Sequence, residues 1–364
     1  MSRNVTVDTT VMKLDNAQFE PILTKEVIQL RGIFRKYKHE LRIVGGAVRD
    51  LLREVEPRDI DFATTANVYE MKNIFYKENI YMINLKGEKH GTVTVHINNK
   101  NFEITTLRIQ KRLEDATDPS MWQTDASKRD LTVNAMFLDF NGSLYDFFNG
   151  YNDLLQKRVV FVDDAFSRIT EDYLRILRYF RFYGSLAEEP FQYDESTIKI
   201  IKAYAAGLSV ISGERIWSEL KKILSSTYAK ELMLEMIECD IPQYCGLIEK
   251  PNVNEFKRAC SAVKGKSNLN PISLAVALLN NVMQAIKMHE RLKLTAFERD
   301  LSFFIIQERD KVDKTYIGLN DYQEIYLKRH VKREFIEELL KYSNKENLYF
   351  AFKDWDGKLN APEE

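Results

Sequence analysis

The pattern of apolar residues changes near Gly150, and this change limits the folds open to the chain. Before it, short runs rich in β-branched and aromatic residues are typical of strands: LRIVGG, TVTVHI, FEITTLRI and VNAMFLDF. VIQLRGIFRKYKHE and VYEMKNIFYKE, which precede and interrupt these runs, have helical spacing. After Gly150, amphipathic segments repeat near 3.6 residues between Ser, Asp, Pro and Gly caps. The sequence therefore predicts an α+β protein, with a mixed α/β N-terminal part and an all-helical remainder.

Length and charge narrow the function classes. The 364 residues suggest two or three domains at roughly 100 to 200 residues each. Lys plus Arg total 53 against 54 Asp plus Glu, for a net charge of -1. A global positive field is thus excluded, and any nucleic-acid binding must come from local basic clusters.

Cysteines and apolar runs indicate the compartment. Cys239, Cys245 and Cys260 lack C-x-x-C spacing and are odd in number, which favours neither a disulfide framework nor a zinc site. No run approaches the roughly 18 apolar residues of a membrane span, and no secretory pattern opens the chain. We therefore expect an intracellular protein without membrane contact. The Thr-rich residues 1–11 are a weak signal for an organelle leader.

The densest chemical motif is GGAVRDLLREVEPRDIDFAT, residues 45–64. A strand runs into Gly45 and Gly46, which let a ligand approach the backbone at a helix start, and Arg49 follows one turn later; together they predict a phosphate cradle. Asp59 and Asp61 should then open a strand and share one face, with Ile60 toward the core. Two close carboxylates require a cation, and Mg²⁺ with a nucleoside triphosphate supplies one.

Glu103 extends this acidic group. It alternates with apolar residues in FEITTLR and could be a third carboxylate on the neighbouring strand, or a solvent-facing strand residue. A D-x-D alone is also typical of solvated turns and of glycosyltransferases; the preceding Gly-Gly and Arg make the motif more specific.

A second cluster, KRDLTVNA, spans residues 128–135. Arg129 can bind phosphate through two parallel hydrogen bonds, and Asp130 and Asn134 can grip ribose hydroxyls. The same residues would also suit an ordinary helix N-terminus.

A third cluster lies in EDYLRILRYFR, residues 171–181. On a helix, Asp172 and Arg175 would be neighbours, and Arg178 and Arg181 would continue their row. The ordinary interpretation is a salt bridge on a solvated face. Three arginines exceed what one carboxylate needs, and an Asp acceptor beside an Arg donor can address the edge of cytosine or adenine.

Together with an Asp139 to Asp146 D-x-x-G-x-x-x-D segment and SGERIWSEL, these motifs resemble, in order, those of class II tRNA nucleotidyltransferases. These are the CCA-adding enzymes of the polymerase β superfamily. The resemblance covers about residues 12–260. It implies a nucleotidyltransferase head (1–150), a helical neck that recognises the base (151–225), a helical body (226–300) and an apparently shortened helical tail that contacts tRNA (301–364).

The resemblance also implies a role for each motif residue. Asp59 and Asp61 would be catalytic and bind two Mg²⁺ ions. Glu103 is predicted as a further metal ligand from its place on the neighbouring strand, and not from the resemblance. The remaining positions would bind CTP or ATP: Gly46, Arg49 and Arg129 at the triphosphate, Asp130 and Asn134 at the ribose, and Asp172, Arg175, Arg178 and Arg181 around the base.

Two segments depart from the family pattern. Residues 109–127 occupy the place of the flexible loop used in switching from CTP to ATP but lack its D-G-R-x-A-x-V pattern. We expect this segment to keep a lever role, with Trp122 as an anchor. The chain also ends soon after Trp355, where relatives usually continue.

The leading hypothesis is template-independent addition of CCA to tRNA from CTP and ATP. Alternatives are a partial CC- or A-adding enzyme, a poly(A) polymerase of the same fold, and an inactive RNA-binding scaffold, which the intact Asp59 and Asp61 disfavour. The expected partner is tRNA, and the expected state is a monomer or homodimer. The expected compartments are the mitochondrion and/or the cytoplasm and nucleus. The basic residues 328–333 could meet tRNA or form a solvated helix face.

Overall fold

The chain forms two compact units, Met1–Arg168 and Ile169–Glu364. The computed structural model describes residues 10–15, 19–83, 85–109, 119–262, 269–312 and 314–356. The first unit continues 18 residues past the head boundary predicted at residue 150. The division of the second unit into neck, body and tail stays a prediction.

The first unit is built on one mixed sheet with strand order β1-β8-β7-β2-β3-β6-β5-β4. Every adjacent pair is antiparallel except β3 and β6, which run parallel. The strands are β1 (Thr10–Lys13), β2 (Leu41–Val44), β3 (Asp61–Thr64), β4 (Tyr81–Ile83), β5 (Thr92–Ile97), β6 (Lys100–Thr106), β7 (Phe137–Leu138) and β8 (Ser143–Tyr145).

Helices connect these strands, and two of them start where a side chain satisfies free backbone N–H groups. Thr24 caps α1 and Asn67 caps α3 through a reciprocal pair with Glu70. The helices of this unit are α1 (Lys25–Lys36), α2 (Gly46–Leu52), α3 (Val68–Lys77), α4 (Pro119–Ser127) and α5 (Gly150–Leu155); α6 (Ala165–Glu171) crosses the unit boundary.

Strand alternation separates a buried face of the sheet from an accessible one. On β5, Val93 and Val95 are almost fully buried, whereas His96 is partly exposed. The helix α3 packs against β4 and β5, and its residues Met71 and Phe75 are fully buried. Because successive strand side chains point to opposite faces, helix packing on one face leaves the other available for a site.

The described part of the second unit contains helices and 3₁₀ turns, as its amphipathic pattern predicts. On α7 the apolar residues Ile176, Leu177 and Phe180 are fully buried. The helices are α7 (Leu174–Leu186), α8 (Glu195–Tyr204), α9 (Gly213–Leu224), α10 (Ala229–Glu238), α11 (Ile241–Tyr244), α12 (Val253–Ala262), α13 (Pro271–Ala277), α14 (Val282–Leu292), α15 (Ala296–Glu308), α16 (Leu319–Arg329), α17 (Arg333–Tyr342) and α18 (Glu346–Asp354). The predicted fold class is confirmed.

Two smaller expectations concern cysteines and membranes. Cys239, Cys245 and Cys260 are free thiols, and burial raises the pKa of each to about 12. They are therefore protonated at neutral pH and poor nucleophiles. Among the helices that the structure describes, none is long and apolar enough to cross a bilayer.

Candidate active site

The predicted turn from strand to helix is present at Gly45 and Gly46. β2 ends at Val44, Gly45 has φ +67°, and α2 begins at Gly46. A positive φ favours glycine, and a Cβ at Gly45 would lie 4.0 Å from Nη1 of Arg129. The turn therefore brings backbone close to a guanidinium supplied by the second cluster.

The first two sequence clusters form one hydrogen-bonded network. Arg49 Nη1 donates to Oδ1 of Asn134 at 2.8 Å, and Asn134 Nδ2 donates to Oδ1 of Asp130 at 3.3 Å. Arg129 donates to the Asn134 carbonyl at 3.3 Å and pairs with the buried carboxylate of Asp125 at 2.9 Å. The network thus holds the guanidinium groups of Arg49 and Arg129 in place, and guanidinium groups bind phosphate oxygens through well-oriented hydrogen bonds.

The acidic residues line a cavity of about 450 Å³ beside this network. Asp61 begins β3, and the parallel register Phe62 to Ile104 places Glu103 of β6 beside it. The lining residues are Asp59, Ile60, Asp61, Ile83, Thr94, Asn101 and Glu103. Glu103 therefore shares one site with Asp59 and Asp61, as the first of its two interpretations predicts.

The electrostatics of this cavity favour a cation. Asp61 is open to solvent on one side, but the protein on its other side removes water from the carboxylate and raises its pKa to about 6. The negative charges of Glu103 and Asp59 also raise this pKa, and the positive charge of Arg129 lowers it. Repulsion among carboxylates is what a divalent cation relieves, so the residues fit Mg²⁺. No group of three acidic, histidine or cysteine side chains in the described ranges could hold a metal ion alone. Substrate oxygens and water would have to complete the coordination.

One detail of the D-x-D prediction is wrong. The strand begins at Asp61, so Asp59 lies in the bend before it and strand alternation does not align the two carboxylates. Ile60 is half-exposed and lines the cavity, whereas we expected it to face the core. The bend, and not a shared strand face, brings Asp59 to the cavity.

In the helical unit, Asp172 and Arg175 do not form the expected pair. Asp172 precedes α7, and its Oδ1 accepts from the N–H of Leu174 at 3.2 Å. Its Oδ2 pairs with Arg215 at 2.7 Å, while Arg175 pairs with Glu171 at 2.8 Å. The salt bridge between Asp172 and Arg175, which was the ordinary interpretation, is therefore replaced by two bridges to other residues.

Arg178 and Arg181 lie on α7 around one aromatic ring. Their guanidinium carbons are 5.4 and 4.1 Å from the centroid of Phe182, and Arg181 also pairs with Glu219 of α9 at 3.0 Å. Both arginines are half-buried. They form the row predicted from their spacing, and Arg181 also joins α7 to α9.

Arg215 and Glu219 were not among the site residues predicted from the sequence. Both lie in SGERIWSEL, which was noted only as a family motif. Their partners, Asp172 and Arg181, are 43 and 38 residues away. Arg215 and Glu219 are four residues apart and therefore share one face of α9, and this spacing was the sequence feature that could have indicated a shared role.

Comparison with known proteins shows the family. A protein from Homo sapiens named "CCA tRNA nucleotidyltransferase 1, mitochondrial" is 43% identical, with 94% of this chain and 81% of that protein covered. The chain belongs to the CCA tRNA nucleotidyltransferase family. The family models "Poly A polymerase head domain" and "Probable RNA and SrmB- binding site of polymerase A" match residues 41–160 and 190–245.

Solved structures show that the fold is shared. A CCA-adding enzyme with ATP has a TM-score of 0.68 at 20% identity, covering 93% of this chain and 84% of that one. The Bacillus stearothermophilus CCA-adding enzyme in complex with CTP has a TM-score of 0.71 at 22% identity, covering 90% and 81%. The predicted family, fold and enzyme class are confirmed, and the relatives favour CCA addition over the alternatives.

The segment expected to act as a lever is partly a fixed helix. Residues 110–118 lie outside the described part, while residues 119–127 form α4. Trp122 is fully buried in the core with Met121, and Asp125 accepts from the N–H of Arg108 at 2.9 Å. Trp122 is therefore part of the head core of this tRNA nucleotidyltransferase and not the anchor of a mobile loop.

The basic stretch 328–333 is largely occupied by internal contacts. Arg329 pairs with the buried Glu308 at 2.9 Å, and Lys328 pairs with Glu324 at 2.6 Å. Arg333 donates to the carbonyls of Phe352, Lys353 and Trp355. These contacts link helices of the second unit, and tRNA contact by this stretch stays a prediction.

Proposed function

We propose that this chain adds CCA to the 3′ end of tRNA from CTP and ATP, with phosphoryl transfer at the cavity of Asp59, Asp61 and Glu103. The observation that carries the proposal is the position of the Arg49 and Arg129 network beside that cavity. Cations for a triphosphate and carboxylates for metal ions are the two parts that nucleotidyl transfer requires. The family relationship supports this reading.

The chain's own residues would bind and orient the nucleotide. Arg49 and Arg129 would hold the triphosphate next to the backbone of Gly46, and Asp130 and Asn134 would contact the ribose. The Asn134 side chain already joins Arg49 to Asp130, so one hydrogen-bond network would link phosphate binding to ribose binding.

Asp59 and Asp61 would hold two Mg²⁺ ions, with Glu103 as an additional ligand. When bound, the ions would activate the 3′ hydroxyl of the tRNA and neutralise the departing pyrophosphate. The raised pKa of Asp61 supports this assignment, because a carboxylate in that environment gains most from a cation.

Asp172 and Arg175 would select the base through its hydrogen-bonding edge, with Arg178 and Arg181 nearby in sequence and on the same helix. Arg215 and Glu171 would hold the two selecting side chains in place. Because the contacts address the base edge and not the phosphates, these residues would decide identity more than rate.

The mitochondrion is the proposed compartment, since the human relative is named for it. A cytoplasmic or nuclear pool, and a monomeric or homodimeric state, are further proposals.

The decisive experiment uses tRNA that lacks its 3′ CCA, with Mg²⁺ and CTP or ATP, singly and together, followed by sequencing of the ends. We expect CC with CTP alone and CCA with both nucleotides. Addition that stops at CC, or A addition only to ends that already carry CC, would indicate a partial enzyme. Long A tails would indicate a poly(A) polymerase, and unchanged ends an inactive scaffold.

A further inference from the structure

The sheet of the first unit continues past the catalytic carboxylates on the side away from the arginine network. β2, which leads into Gly45, borders β3 on one side, and β6, β5 and β4 follow on the other. The network of Arg49 and Arg129 belongs to the β2 side through Gly45 and α2. The cavity extends in the opposite direction, to Ile83 of β4.

In-line phosphoryl transfer needs space on two opposite sides of the catalytic carboxylates. The attacking hydroxyl and the departing pyrophosphate lie on opposite sides of the reacting phosphorus. With the triphosphate held on the β2 side, the 3′ hydroxyl of the RNA must approach from the side of β6, β5 and β4.

The accessible face of these three strands carries a row of residues suited to single-stranded RNA. The register pairs Tyr81 with His96 and His96 with Asn101, so the three lie side by side across β4, β5 and β6. Ile83, two residues after Tyr81, and Asn101 itself line the cavity, which places the row on the catalytic face.

The row is exposed and partly fixed in geometry. Tyr81 is 71% exposed, although burial of its aromatic ring would contribute hydrophobic stabilisation. Nδ1 of His96 and Oδ1 of Asn101 are 2.7 Å apart, a hydrogen bond that orients both side chains. Aromatic rings on strands bind unpaired bases by stacking, and imidazole and amide groups bind base edges or ribose hydroxyls.

We propose that the face formed by Tyr81, His96 and Asn101 binds the single-stranded 3′ end of the acceptor RNA, with Tyr81 stacked on a base upstream of the reacting ribose. β4 is three strands from β3, about 14 Å at the usual strand spacing. Tyr81 is therefore too far away to contact the reacting nucleotide and acts as a positioning residue. This inference rests on the proposed function, since it takes the acceptor to be RNA.

The test compares Tyr81→Ala and Tyr81→Phe with the control Tyr76→Ala. Tyr76 is 83% exposed on α3, which packs on the other face of the sheet, so the control removes an equally accessible tyrosine. Initial rates are measured against the concentration of CCA-less tRNA and, separately, of CTP.

We expect Tyr81→Ala to raise KM for tRNA about 5-fold to 150-fold, the range for loss of one base-stacking contact. KM for CTP should stay within about twofold, since that site lies across β3. Tyr81→Phe should keep most of the affinity, because stacking needs the ring and not the hydroxyl. The inference is overturned if Tyr81→Ala matches Tyr76→Ala, or if it raises KM for CTP as much as KM for tRNA.

A binding measurement separates this inference from the proposed function. A CCA-less tRNA acceptor carrying 2-aminopurine near its 3′ end reports stacking by fluorescence quenching, without any reaction. Quenching by the wild type and by Tyr76→Ala, but not by Tyr81→Ala, supports the subsite even if nothing is added to the tRNA. Full CCA addition with equal quenching by all variants would uphold the function and refute the subsite.

Discussion

Loss of contact with water raises the pKa of the Asp61 carboxyl to about 6, and the negative charges of Glu103 and Asp59 add to the effect. A bound cation would relieve the repulsion among these three carboxylates. We expect Asp61→Ala or Asp59→Ala to slow C and A addition alike by at least about a thousandfold, because one metal site serves every nucleotide. Both residues are exposed, so the fold should persist. Single-turnover rates with CTP and with ATP, together with circular dichroism, provide the check; a folded variant with full activity would refute the metal assignment.

Asp172 and Arg175 are predicted to select the base, so their loss should change nucleotide choice more than rate. We expect Asp172→Ala or Arg175→Ala to admit UTP and GTP, measured by sequencing tRNA ends after incubation with all four nucleotides. Glu195→Ala is the control, since Glu195 is exposed and pairs with the exposed Lys199 on the same helix, α8. Equal slowing with every nucleotide and unchanged fidelity would show that Asp172 and Arg175 are structural.

The separate ion pairs of these residues mark a limit of sequence reasoning. Arg175 at the start of α7 pairs with Glu171 at the end of α6, four residues earlier, a contact that the short separation permits. The pairing of Asp172 with Arg215 depends on how α9 packs beside the start of α7, 43 residues away in the chain. The residue types were enough to predict that Asp172 and Arg175 belong to one cluster, but the ion-pair partner of Asp172 depends on tertiary packing.

Among the helices, α9 and α15 are joined by one buried carboxylate. Glu298 caps α15 with Thr295 and accepts from Nε1 of Trp217 at 2.9 Å and from Nζ of Lys221 at 3.2 Å. Burial acts to raise its pKa, but the hydrogen bonds from Thr295, Trp217 and Lys221 together outweigh burial and leave the pKa lowered.

We expect Glu298→Gln to reduce the free energy of unfolding at pH 7 by about 1.5 to 3 kcal/mol, the range for hydrogen bonds to a charged group. A lowered pKa means that the contribution is present above the unfolded value of about 4.3 and is lost as pH falls through the folded value. The gap between wild type and variant should therefore close below about pH 4. Urea unfolding at several pH values measures it; a gap that is constant with pH would exclude the charge as its source.

Close packing of α9 on α14 requires Gly213. A Cβ at this position would lie 1.7 Å from the carbonyl oxygen of Arg291, a distance that forces the helices apart. We expect Gly213→Ala to lower the free energy of unfolding by about 1 to 3 kcal/mol or more.

Gly32 of α1 is the matched control. A Cβ at Gly32 would have no atom within 4 Å among the described residues, so Gly32→Ala should raise the free energy of unfolding by about 0.5 to 1 kcal/mol. Thermal melts that shift in the same direction for both variants would contradict this packing argument.

The helix α4 shows where local pattern fails. Residues 109–127 looked like a loop because their polarity is mixed, yet Trp122 and Met121 are buried and Asp125 holds Arg129. A single short helix gives too few repeats for periodicity to reveal its buried side. A deletion that includes Met121 and Trp122 would therefore remove core side chains, so it cannot test selectively whether this segment acts in A addition.

For the molecule as a whole, the change of pattern at Gly150 was enough to predict the fold class, because strand and helix periods are distinct over many elements. The strand order was beyond this reasoning, since hydrophobic alternation does not say which strands pair. The contact of Arg49 with Asn134 spans 85 residues and exists because β2 lies between β3 and β7. Motif residues could thus be predicted one cluster at a time, while their assembly required the sheet.

The net charge of -1 means that the chain as a whole does not attract RNA electrostatically. Affinity for tRNA must then come from local basic side chains that displace cations from phosphates, and such binding weakens as salt rises. Between 50 and 200 mM salt we expect the Kd for CCA-less tRNA to rise at least about tenfold, measured by fluorescence anisotropy. Substitution of unpaired nucleotides outside the acceptor end should change the Kd little, because phosphate contacts carry no sequence information. An affinity that is unchanged across this salt range would show that stacking and base contacts, and not phosphate contacts, hold the RNA.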